Sequence, residues 1–76
     1  MNNQTQPQFV VCINNAGFPA SLEVRKLYQV LRDEAAELHS LVRVVDESGE
    51  DYLYPSDYFV AVELPQAVQQ AILMAA

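Results

Sequence analysis

The sequence predicts a mainly β fold: a small barrel of five short strands followed by a short C-terminal helix. Three observations carry this. A period of two recurs over residues 41–46, 51–54 and 59–64, and side chains that alternate between two faces mark half-buried strands. Ser48-Gly49 and Pro55-Ser56-Asp57 punctuate those runs with a short hairpin loop and a stop to ladder pairing. Pro65 then opens a stretch whose apolar residues recur at helical spacing.

Taken in order, residues 1–8 are Asn, Gln, Thr and Pro without apolar periodicity, which predicts a disordered tail. Residues 9–64 then form one β domain. Phe9-Val10-Val11-Cys12-Ile13 is the first strand, near 9–14. Asn14-Asn15, Gly17 and Pro19 make a loop, and a second strand, bent, runs over 22–31. In the connection at 32–40, Asp33 is placed to cap one helical turn over Ala35-Ala36-Glu37-Leu38.

Val42, Val44 and Asp46 share one face of the third strand, opposite Leu41, Arg43 and Val45. Gly49 supplies the positive φ of the hairpin loop. In the fourth strand, 51–55, Leu53 is expected on the core face with Tyr52 and Tyr54 outward. The fifth runs near 59–63. Residues 65–76 form the helix, with Val68, Ala71, Ile72 and Ala75 on one side and Gln66, Gln69 and Gln70 opposite. A helix this short is marginal in water. It is therefore expected to cover the barrel and bury Val68 and Ile72.

Seventy-six residues allow one domain, of a size that buries only roughly 60% of its unfolded surface. Ten carboxylates against four basic residues give a net charge of −6. Such a chain lacks the cations that neutralise phosphates, which argues against nucleic acid and anionic membranes as partners. A single cysteine excludes an internal disulfide; with no leader-like segment, this predicts a cytoplasmic setting. No apolar run approaches the roughly 20 residues of a membrane-spanning helix.

Chemistry is sparse. Cys12 lies in an apolar strand, where a thiol behaves as a small hydrophobe, and His39 reads as a solvated loop histidine. Asp46, Glu47, Glu50 and Asp51 cluster at the hairpin tip without calcium-loop spacing. There is no phosphate-cradling glycine loop, zinc-ligand spacing or nucleophile–base pair. The chain is expected to be no enzyme and to carry no cofactor or metal.

The corner Pro55-Ser56-Asp57-Tyr58-Phe59 resembles the Pro-Ser-Asn-Tyr-Val turn of Src-homology-3 domains. Residues 21–31 resemble that family's diverging turn and second strand, so the likeness spans 9–64. It implies a five-stranded barrel with a groove in which Pro55 and Tyr58 meet Pro-rich ligands in the polyproline II conformation. The family's groove tryptophan has no counterpart here, and Val11-Cys12-Ile13-Asn14-Asn15 stands where its first-strand tyrosines would be.

The candidate protein-binding set is Tyr28, Tyr52, Tyr54, Pro55 and Tyr58; Leu73 and Met74 are the candidate helix contact. The expected function is that of a stand-alone, non-catalytic interaction or regulatory module of the small prokaryotic kind, monomeric, with another protein as partner. The alternative is a small structural subunit of a larger complex, docked through the C-terminal helix.

Overall fold

A computed structural model of the chain describes residues 8–75. Its elements follow the order β1 (Gln8–Cys12), β2 (Leu27–Leu31), α1 (Glu34–Glu37), β3 (Leu41–Val45), β4 (Asp51–Pro55), a 3-10 turn (Ser56–Tyr58), β5 (Phe59–Val62) and α2 (Gln66–Met74). The fold is mainly β, with a short C-terminal helix. All ladders are antiparallel and the strand order is β4-β3-β2-β1-β5. The sheet is open, with β4 and β5 at its edges. Gln8 begins β1 and so does not belong to the expected tail; residues 1–7 lie outside the described residues.

Local chemistry accounts for each connection. Arg25 is left-handed at φ 73°. Its N–H donates to the Cys12 carbonyl at 2.7 Å, and the Cys12 N–H donates to the Lys26 carbonyl at 3.0 Å. Two residues thus oppose one, which is a bulge. It limits β2 to Leu27–Leu31, shorter than the bent strand expected over 22–31. Asp33 caps α1 by accepting from the Ala36 N–H at 3.0 Å, and the same carboxylate accepts from Arg43 Nε at 2.8 Å, tying the turn to β3. Gly49 takes φ 84° in the β3–β4 loop.

The core gathers Val10, Cys12 and Phe59 from β1 and β5, Tyr28 and Val44 from β2 and β3, and Tyr54 from β4. Leu22, from the long β1–β2 loop, is only 1% exposed and closes it. Each fully buried Val, Leu or Phe contributes about 1.5–3 kcal/mol against the cost of ordering the chain.

The face of β4 is the reverse of that expected. Residues directly opposite one another in a ladder share a face, and Val42 pairs with Tyr54, Val44 with Tyr52 and Arg43 with Leu53. Tyr54 is therefore inside, 3% exposed, whereas Leu53 stands outside beside Arg43, 41% exposed. The phenol is tolerated inside because its polar tip finds a partner there, the Asp46 carboxylate.

The helix α2 does form over Gln66–Met74, with Pro65 as its N-cap. It does not cover the sheet. None of its residues is buried; Val68 and Ile72, expected inside, are 42% and 36% exposed.

Candidate functional site

At the end of β3 the alternation that buries Val44 carries Asp46 inward as well, to 6% exposure. Its Oδ2 accepts from the Tyr54 hydroxyl at 2.5 Å. Its Oδ1 accepts from the Ser48 hydroxyl at 2.6 Å and the Ser48 N–H at 2.9 Å. Burial opposes ionisation of Asp46 and is the largest single influence on it. The Ser48 and Tyr54 donors together outweigh burial, so the carboxyl lies below its ordinary pKa. Burial, reinforced by the hydrogen bond to Asp46, pushes the Tyr54 phenol up.

A second phenol–carboxylate pair lies alongside. The Tyr28 hydroxyl donates to Glu47 Oε2 at 2.5 Å and accepts from the Glu23 N–H at 2.7 Å. Lys26 Nζ stands 2.7 Å from the same Glu47 oxygen. Lys26 first, then Tyr28, hold the Glu47 carboxyl below its ordinary range, and burial pushes the Tyr28 phenol up. The Glu47 N–H donates to the Ser21 carbonyl at 3.0 Å, fastening the hairpin to the β1–β2 loop.

Beside β4 that loop leaves an open hollow of about 370 Å³, lined by Phe18, Ser21, Asp46, Tyr52, Leu53 and Tyr54 among others. Phe18 stands edge-on to Tyr54 at 4.9 Å between centroids and reaches Tyr58 at 6.2 Å.

Of the five candidate binding residues, only Tyr52 and Tyr54 line this hollow. Tyr52 is half-exposed, with its hydroxyl on Glu50 at 3.2 Å. Tyr28 is buried and turned to Glu47. Tyr58 is partly buried and donates to the Ala16 carbonyl at 2.8 Å, and Pro55 is partly buried at the end of β4. The five do not form one exposed aromatic surface. Leu73 and Met74 lie on α2, and Met74 is 82% exposed.

Two contributors were not among the expected site residues. Phe18 sits in a loop without any period. Asp46 had a signal in its alternation with Val42 and Val44, which places a carboxylate on the core face. The acidic hairpin residues go to separate partners: Asp51 to Arg43 at 2.8 Å, Glu50 to Tyr52, Glu47 to Lys26, Asp46 to Tyr54. Cys12 is fully buried, its Sγ 3.3 Å from the Asn14 carbonyl.

The pH dependence of stability follows from these carboxylates. Asp46 and Glu47 are held down as described, and Asp33 is held down by the Ala36 N–H and then by Arg43. Between their folded and ordinary pKa values the unfolded chain binds more protons. Their contribution is full above the ordinary carboxylate values of about 4 and is lost as pH falls through the depressed ones. Denaturant midpoints should therefore decline steadily from about pH 5 downward. An acid limb that is flat, or that rises, would contradict these ion pairs and hydrogen bonds.

No family model, no curated protein and no solved structure matches the chain.

Proposed function

We propose that the chain is a non-catalytic protein-interaction module on a small, incompletely closed barrel of the Src-homology-3 type, and that α2 is its docking element. The strand order β4-β3-β2-β1-β5 and the 3-10 turn over the Pro-Ser-Asp-Tyr corner support the fold reading. The observation that carries the function is that α2 leaves Val68, Ile72, Leu73 and Met74 exposed on a helix with no buried residue. Val68, Ala71 and Ile72 stand at the i, i+3, i+4 spacing that lays a helix into an apolar groove of another protein, and Leu73 and Met74 widen that side. The helix has no charged side chain and the chain as a whole is acidic, a poor match for anionic lipid or phosphate. The same observation supports a subunit held permanently in a larger complex; the lifetime of the contact separates the two.

Amide exchange on the isolated chain tests this. The amides of α2 should exchange nearly as fast as unstructured chain, while those of β1 stay protected. Deleting the residues after Pro65 should shift unfolding stability by no more than about 0.5 kcal/mol. Protection of α2 comparable to β1, with a clear loss of stability on deletion, would make the helix a cover for the sheet.

A further inference from the structure

We infer that the free edge of β4 accepts an extended, basic segment of a partner protein as an added strand, with one of its apolar side chains in the neighbouring hollow. The binding site is additional to α2, and it rests on the reading of the chain as an interaction module.

Two bonds fix which backbone groups face outward. The Asp46 N–H donates to the Glu50 carbonyl at one end of the β3–β4 hairpin, and the Ser56 N–H donates to the Ser40 carbonyl at the other. Hydrogen-bonded and non-bonded pairs alternate along an antiparallel ladder. Tyr52 and Tyr54 therefore bond to β3, while Asp51, Leu53 and Pro55 turn their backbone groups to the open side. Pro55 sits where its missing N–H costs β3 nothing. The edge offers the N–H and C=O of Asp51 and Leu53; the C=O of Pro55 belongs to the 3-10 turn that follows. Among the described residues β4 pairs with β3 alone, so no strand lies beside these groups.

An added strand places alternate side chains on the two faces of the sheet. Those on the inner face fall beside Tyr52 and Tyr54, where the hollow and the Phe18 ring lie. Main-chain bonds and a receptive hollow are thus adjacent, the arrangement strand addition requires.

Charge selects the occupant. Glu50, Asp51 and Asp57 flank the edge, and Arg43, the nearest cation on the outer face, is already bound to Asp33 and Asp51. A second copy would bring another net −6 against it. Self-pairing centred on Leu53 would also set Pro55 opposite Asp51 and leave the Asp51 carbonyl without a donor. Proline and charge on an edge strand are devices against self-association. A lysine- or arginine-bearing strand meets no like charge, and it can pair with Asp51 and Leu53 and end short of Pro55.

The probe is a short synthetic peptide of alternating lysine and valine with a central phenylalanine, titrated into isotope-labelled protein and followed by NMR. Saturable shifts are expected at Asp51, Leu53 and Phe18, with slowed exchange of the Leu53 amide. A glutamate-for-lysine peptide and one N-methylated at alternate residues should each bind roughly tenfold more weakly or worse. Leu53→Pro removes an edge donor that β3 does not use, and should weaken binding to a similar degree. If that variant does not fold, the N-methylated peptide still decides. Equal binding by the N-methylated peptide, shifts centred on β5 or α2, or no saturable shifts would each overturn the assignment. So would a dimer of the free chain that β4 mediates. The docking role of α2 is tested separately, since deleting α2 should leave this titration unchanged.

Discussion

Tyr54→Ala is expected to lower unfolding stability by about 3–5 kcal/mol, the range of large aromatic truncations in a packed core. The ring is almost fully buried, edge-on to Phe18 and 6.3 Å from Phe59. The truncation opens a void among them and also removes a donor from the buried Asp46 carboxylate. Single domains are stable by only about 5–15 kcal/mol, so this variant should be close to unfolding. Tyr54→Phe isolates the hydrogen bond and should cost about 1–3 kcal/mol, because it leaves Asp46 a donor short. Leu53→Ala, one residue away, should cost less than about 1 kcal/mol, since that side chain faces outward. Denaturant midpoints of the three variants check the set. Should Leu53→Ala prove the costlier of the two alanine variants, the register of β4 is displaced by one residue and every side chain on it has changed face.

Leu22→Ala is expected to cost about 2–5 kcal/mol, although the residue belongs to no helix or strand. Leu22 is held by its own backbone: its N–H donates to the Phe18 carbonyl at 3.0 Å and its carbonyl accepts from Asn15 Nδ2 at 3.0 Å. Inserted into the core, its side chain pins the β1–β2 loop and, through Phe18, the wall of the hollow. Equilibrium unfolding gives the energetic cost, and weakening of proton contacts between the Phe18 and Tyr54 rings reports the loosened loop. An unchanged midpoint would mean that the loop is not seated in the core.

Why Leu22 could not be read from the sequence while β3 could is a matter of periodicity. Val42, Val44 and Asp46 alternate with Leu41, Arg43 and Val45, and a charge on one side tells the faces apart. Gly49 and Asp33 announce a left-handed turn and a helix cap through properties of single residues. In Tyr52-Leu53-Tyr54, both faces are apolar and alternation cannot choose between them. The choice is made by pairing with β3 and by Asp46, which gives the Tyr54 hydroxyl a partner inside. Phe18 and Leu22 sit in a loop that obeys no period, so only tertiary contact brings them to Tyr54. The spacing within α2 defines an apolar side but is silent on what that side meets. Of the candidate site, the tyrosines of β4 were legible as residue types; the hollow and the free edge were not, since both depend on what lies across space.

The burial of Cys12 gives the chain a native clock for its own opening. Its thiol is the chain's only one and sits at the end of the strand that pairs with both β2 and β5. Alkylating reagents do not reach the sulfur while the strand is in place. The labelling rate in plain buffer therefore counts how often the end of β1 opens, without denaturant and without any substitution. Where reclosing outpaces alkylation, that rate gives the free energy of opening. Where it does not, the rate is the opening step itself.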